Sequence, residues 1–273
     1  MIVSDAHRFV FIHVPKCAGT TVRGALADYH DQPKIFWGHE EVEPLGRIDL
    51  AHLTQAELRA AFPEMAERVE RYAAFAVARD PMDRFLSAVG QRMAHLHKRD
   101  LVFADPAELR GAAQDVIDRL AAGESTAPPD MTFFKRQVDF MRLDGKTLVE
   151  TVVPLERLDM LEDALAELLP TRPSFTCKQN VRIDPERRAP GPGPADRIAP
   201  GLARAVRRVL PRGLRRRAAA ALWPRGHDAV RLLMRDGGIR SFVQSHFAAD
   251  FDLYAEACKA AMSRPRRPDP GEG

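Results

Sequence analysis

FIHVPKCAGTT, residues 11–21, runs an apolar segment directly into a Lys, a single Gly and two hydroxyls. The surrounding RFVFIHV (Arg8–Val14) is short, rich in β-branched and aromatic residues, and stops at Pro15, which predicts a buried β-strand. From Thr20 or Thr21 onward, Val22, Ala25, Leu26 and Tyr29 recur at helical spacing. Strand, tight loop and helix in that order leave the first N–H groups of the helix without intrahelical partners. An anion placed there is stabilised by the backbone. Lys16 adds a point charge, Gly19 admits close approach of the backbone, and Thr20 and Thr21 add hydroxyl donors. Lys16, Cys17, Ala18, Gly19, Thr20 and Thr21 therefore read as a phosphate cradle. It is not the GxxxxGK[ST] loop of nucleoside triphosphatases, because Lys16 opens the loop and only one Gly is present. No magnesium-ligand pattern accompanies it, so a metal-free anion site is expected.

The same order returns downstream. Ala73–Ala78 (AAFAVA) predicts a second buried strand, ending at Arg79-Asp80-Pro81, and DRFLSAVGQRM continues as a helix. Between the two units, His52–Phe62 carries a capping box, Thr54 with Glu57, ahead of helical apolar spacing. Residues 100–142 read as mostly helical around a Pro128-Pro129 turn. Thr147–Val153 predicts a third strand, Leu158–Leu169 a helix, and Phe242–Met262 one closing helix. Strands alternating with helices imply an α/β fold with a mainly parallel central sheet flanked by helices. Residues 1–262 read as a single domain with a Pro/Gly- and Arg-rich insertion at 184–230, and 263–273 as a disordered tail.

Composition narrows the class. The 273 residues are 45% apolar with a formal charge of only +3, enough for a substantial core and far from a uniformly basic surface. Cys17, Cys177 and Cys258 have neither disulfide-framework nor zinc-site spacing, which points to a reducing compartment. The first residues lack the form of a signal peptide and no stretch reaches the length of a membrane span, so a cytoplasmic protein is expected. The Ala, Arg and Pro bias suggests a GC-rich bacterial genome. The arginines of Arg204–Arg217 are read as a solvated helical face, or as a peripheral contact with an acidic glycan or the anionic inner membrane. Nucleic acid is not expected, since no binding module or aromatic platform accompanies them. Oligomeric state has no signature in the chain.

HVPKCAGTT, residues 13–21, resembles the 5′-phosphosulfate loop of sulfotransferases that use 3′-phosphoadenosine 5′-phosphosulfate, in the form of the carbohydrate enzymes that include the heparan sulfate 2-O- and 6-O-sulfotransferases and bacterial relatives. Ala78-Arg79-Asp80-Pro81-Met82-Asp83-Arg84-Phe85-Leu86-Ser87 resembles that family's second motif, in which the Arg and Ser hold the 3′-phosphate; here these are Arg79 and Ser87. A guanidinium at a strand end and a hydroxyl on the next helix suit a shared phosphate. Gln137, Glu156, Asn180 and HFAADFDLY extend the likeness loosely, while Cys17, where Thr is common, and the Arg-rich segment depart from it. The resemblance implies a P-loop-like three-layer fold, 3′-phosphoadenosine 5′-phosphosulfate as cosubstrate, no metal, and a carbohydrate or glycolipid acceptor. Sulfuryl transfer needs an aligned acceptor oxygen, charge stabilisation on the leaving phosphate and removal of a proton. Lys16 is assigned to the leaving group. His52 is the candidate base by analogy with the His between the two motifs of the 2-O-enzymes, and His39 competes with it. Arg84 serves either a phosphate or an ion pair with Asp80 or Asp83. Two other classes compete: a small-molecule kinase on the same architecture, and a noncatalytic anion- or glycan-binding protein.

Overall fold

The computed structural model describes residues 1–31, 36–97, 106–175 and 233–264. Cys177, Asn180, the 184–230 segment with Arg204–Arg217, and residues 265–273 of the tail lie outside the described residues.

The predicted first strand is β2 (Phe9–Ile12), preceded by a short β1 (Ile2–Ser4) that pairs with it antiparallel. All four residues of β2 are buried, so the strand reads as a continuous apolar run rather than an alternation. Helix α1 (Gly19–Ala25) follows, then a hairpin of β3 (His39–Val42) and β4 (Gly46–Asp49). α2 (Gln55–Ala61) starts at the predicted capping box: Thr54 N donates to Glu57 Oε2 at 2.7 Å and Glu57 N donates to Thr54 Oγ1 at 3.3 Å. α3 (Pro63–Arg71) has Pro at its first position, where a missing N–H costs nothing, and packs on β2 and on β5 (Ala73–Ala78).

β5 lies parallel to β2, with Phe9 opposite Ala73 and Ile12 opposite Ala76. α4 (Pro81–His97) and α5 (Pro106–Ala121) come next, followed by a two-residue hairpin of β6 (Arg142–Leu143) and β7 (Lys146–Thr147). β8 (Thr151–Pro154) then pairs parallel with β5, so the main sheet has the order β1-β2-β5-β8 and is mostly parallel. α6 (Leu158–Ala166), α7 (Gly237–His246) and α8 (Ala248–Met262) complete the described elements; α6 and α8 both pack against β8. The fold is mixed α/β, as the alternation of strands and helices predicts.

Three readings change. The third strand starts at Thr151, because Lys146 and Thr147 are taken by the small hairpin. The closing helix is two helices, broken at Phe247, whose side chain is buried and whose ring lies against that of Phe85 at 6.3 Å. Residues 122–142, read as helical, hold only short 3₁₀ turns, at Thr132–Phe134 and Gln137–Phe140, before β6 begins at Arg142.

Contacts divide the chain into two compact units. One comprises residues 1–88, 125–178 and 243–273 and holds the whole main sheet. Phe9, Phe11, Val10 and Phe75 are among its buried side chains, each worth about 1.5–3 kcal/mol of burial. The other comprises 89–124 and 179–242, and within it Arg92 pairs with Asp115 at 2.7 Å. Among the described residues no helix is long and apolar enough to cross a membrane.

Candidate active site

Every candidate site residue lies in the unit that holds the sheet. In the loop between β2 and α1, Lys16 and Ala18 have φ of 65° and 57°, a left-handed backbone that costs non-glycine residues about 1–3 kcal/mol each. Left-handed residues interleaved with ordinary ones are what an anion-binding nest requires. The amides of Thr21 and Val22 both donate to Ala18 O, at 2.9 and 3.2 Å, and close the first turn of α1 on the loop. Gly19 and Thr20 precede any intrahelical acceptor for their own amides. Gly19 has a reason that the sequence reading lacks. A Cβ there would stand 1.7 Å from Cδ2 and 1.9 Å from Nε2 of His13, so the imidazole occupies the space that any side chain would need. Thr20 is exposed and Thr21 half-buried, whereas Cys17 turns inward, 1% exposed, and its amide donates to Val14 O at 3.4 Å.

The second loop follows β5. Asp80 caps α4 by accepting from Asp83 N at 3.0 Å, and Pro81 takes the first helical position, so two of the three residues in Arg-Asp-Pro are explained by helix initiation. Arg79 is left at the end of the strand beside the first loop, and its guanidinium NH1 donates to Lys16 O at 3.2 Å. Ser87 sits half-buried two turns into α4. Arg84 is 1% exposed and pairs with neither Asp80 nor Asp83. It donates to Phe133 O at 3.0 Å and meets Asp250 of α8 at 3.4 Å. Burial pushes the Asp250 carboxyl above the ordinary carboxylate range, while Arg84 and the amides of Gln137 and Val138 pull it back.

His52 is buried at the end of a 3₁₀ turn, Leu50–His52, that Asp49 caps by accepting from Ala51 N at 3.0 Å. His52 Nδ1 lies 3.2 Å from the carbonyl oxygen of His13. A carbonyl only accepts, so Nδ1 carries the hydrogen and Nε2 is left with the lone pair that a base needs. Nε2 lies 3.8 Å from Asp49 Oδ2, which favours a proton arriving there. Burial is the larger effect and brings the pKa down to about 4, against the pull of Asp49, so the imidazole is neutral at neutral pH, its lone pair available but its proton affinity below the ordinary one. His39 is more open and reaches the same carboxylate at 4.0 Å. The two histidines thus flank one Asp. The His52 turn is held from beneath by Lys135, buried, whose Nζ donates to His52 O at 3.0 Å and pairs with Glu57 at 2.8 Å.

Sequence reasoning missed His13, Asp49 and Lys135. His13 stacks edge-on against His52 with ring centroids 4.3 Å apart, and burial holds its pKa well below the ordinary value. Its position inside the quoted motif was the available signal; Asp49 and Lys135 carry none, because both act through partners set by the fold. Nearby, Trp37 is 64% exposed with the Arg23 guanidinium 4.1 Å from its ring centroid. Glu156 accepts from Tyr254 OH at 2.9 Å. Among the described residues no group of three or more His, Cys, Asp or Glu side chains is placed to hold a metal ion.

A sequence model described as the Sulfotransferase family matches residues 1–142, which include both loops, the His52 turn, Lys135 and Gln137. No curated protein and no solved structure matches the chain. With a match over more than half its length, and with the paired loops that the match spans brought side by side at the ends of two adjacent parallel strands, the chain belongs to the sulfotransferase family.

Proposed function

We propose that this enzyme moves a sulfuryl group from 3′-phosphoadenosine 5′-phosphosulfate to a hydroxyl of a carbohydrate or glycolipid, in a bacterial cytoplasm and on a P-loop-like three-layer fold. The observation that carries the reading is the bond from Arg79 to Lys16 O, 3.2 Å, which sets a guanidinium for one phosphate beside a loop for another. Two anion sites at the ends of adjacent parallel strands suit a nucleotide phosphorylated at both 3′ and 5′ positions.

In this reading the loop amides and the hydroxyls of Thr20 and Thr21 hold the 5′-phosphosulfate, and Arg79 and Ser87 hold the 3′-phosphate. The acceptor oxygen attacks sulfur, the bond from sulfur to the bridging oxygen breaks, and adenosine 3′,5′-bisphosphate leaves. Lys16 offsets the charge that develops on the departing phosphate. His52 Nε2 takes the acceptor proton, and Asp49 stabilises the imidazolium that results. His39, more exposed and 4.0 Å from the same Asp49 carboxylate, is the alternative base.

Calorimetric titration with adenosine 3′,5′-bisphosphate, beside ADP with magnesium, tests the donor site. Metal-independent binding of the bisphosphate that is lost in Arg79→Ala is expected. A preference for ADP with magnesium would favour a kinase, and no nucleotide binding at all would favour an anion- or glycan-binding protein. Lys16→Ala should keep the fold and lose most of its turnover.

A further inference from the structure

Gln137 belongs to neither loop and is fully buried. Its backbone is fixed by Asp250, whose Oδ2 accepts from Gln137 N at 2.8 Å and whose Oδ1 accepts from Val138 N at 2.9 Å. Its side chain then reaches across to both loops. Nε2 donates to Arg79 O at 2.9 Å, and Oε1 accepts from Arg79 N at 3.0 Å and from Cys17 Sγ at 3.3 Å. One amide pairs both the N–H and the C=O of Arg79 and offers its second carbonyl lone pair to the Cys17 thiol, whose single hydrogen has Gln137 Oε1 as the nearer acceptor and Pro15 O, at 3.5 Å, as the farther. The Cys17 thiol can serve as that donor because burial pushes its pKa up to about 12 and keeps the proton on sulfur.

Few residue types can do this. A Glu accepts at both oxygens but cannot donate to Arg79 O, and it would bring a carboxylate under a phosphate site. An apolar residue leaves the N–H and C=O of Arg79 unpaired where the strand ends. Arg79 itself donates to Lys16 O, so the two loops are joined twice, once directly and once through Gln137.

We infer that Gln137 is a positioning residue that aims Arg79 at the 3′-phosphate and ties that aim to the 5′ loop through Cys17, and so sets the preference for a donor carrying a 3′-phosphate over adenosine 5′-phosphosulfate. The inference rests on the donor proposed above. It is read from a ratio, the affinity for adenosine 3′,5′-bisphosphate over that for adenosine 5′-monophosphate, which isolates the contribution of the 3′-phosphate.

The experiment titrates both nucleotides into the full chain as wild type, Gln137→Met and Gln137→Asn, and records thermal unfolding for each. Gln137→Asn keeps the amide and withdraws it by one methylene, and serves if Gln137→Met does not fold. The ratio should fall roughly ten- to hundredfold in either variant, the worth of one or two charge-assisted hydrogen bonds. Adding the change to Arg79→Ala should lower the ratio no further. A purely structural Gln137 would shift the unfolding midpoint and leave the ratio unchanged, which overturns the inference while the donor site stands. Additive losses with Arg79→Ala overturn it as well. A wild-type protein that gains nothing from the 3′-phosphate refutes the donor reading itself, and is told apart because the failure is already present before any substitution.

Discussion

A methyl group on Gly19 would lie 1.7 Å from the His13 ring, so the glycine of the quoted motif is kept by a histidine six residues before it. Gly19→Ala must push the imidazole away, at about 1–3 kcal/mol for overpacking, and should weaken binding of adenosine 3′,5′-bisphosphate. His13→Ala should open that space, so the double variant should recover part of the stability lost in Gly19→Ala; fully additive losses in thermal unfolding would show that the contact does not decide the residue. His52 carries the second prediction at this scale. With its pKa near 4, the base form persists well below the ordinary histidine value of 6.5. The acid limb of turnover should therefore fall near 4, and a limb near 6.5 would argue against His52 as the base. His52→Ala should lower turnover by roughly 10²–10⁴-fold, with affinity for the bisphosphate retained.

Among the elements, α4 and α8 are joined by Arg84 and Asp250, a pair 166 residues apart in sequence with both side chains almost fully buried. Asp250→Ala strands a buried guanidinium and should cost about 3–5 kcal/mol in denaturant unfolding. Replacing both partners by Met and Leu removes the stranded charge but still takes the partners of the Gln137 and Val138 amides and of Phe133 O, so it should cost less than Asp250→Ala without restoring full stability; an equal loss would mean that these backbone bonds, not the charge, dominate there. The contrast between this pair and the capping box of α2 shows what the sequence makes legible. Thr54 and Glu57 are three residues apart and signal each other, as do the apolar runs of β2 and β5, whose burial leaves them unbroken by polar residues. The β3–β4 hairpin was unreadable because His39, Glu40 and Glu41 are exposed and polar, and β1 because it is placed by pairing with β2 and by bonds of Val3 to His30 and Asp31, partners set by the fold. Lys16, Arg79 and Ser87 could be chosen from their motifs; Asp49, Lys135 and the role of Gln137 could not, because their partners are set by the fold.

At the scale of the molecule, the site binds its histidines into the folding equilibrium. His13 and His52 are both buried in the neutral form, with folded pKa values lowered first by desolvation. An unfolded chain takes up protons at these imidazoles from about 6.5 downward, and the folded chain resists until about 4 in the case of His52. The unfolded state therefore binds more protons in that window. The stability that the two neutral imidazoles contribute is fully present above 6.5 and is lost as pH falls toward 4. The Asp5 carboxyl, held low by Arg68, acts with the same sign in a different window: its contribution is present above 3.8 and is lost only below it. The two sources separate on the pH axis. The buried α-amino group of Met1, held well below its ordinary value of 8.0 by desolvation, adds a loss of the same sign that starts higher. Urea midpoints measured from pH 8 to pH 3 should therefore decline already above 6.5, fall more steeply between 6.5 and 4, and fall again below 3.8. His52→Phe should flatten the middle segment and leave the last one. If the wild-type midpoint stays level down to pH 4, the histidines titrate freely in the folded protein, and the packed His13, His52 and Gly19 arrangement from which the base is argued would be wrong.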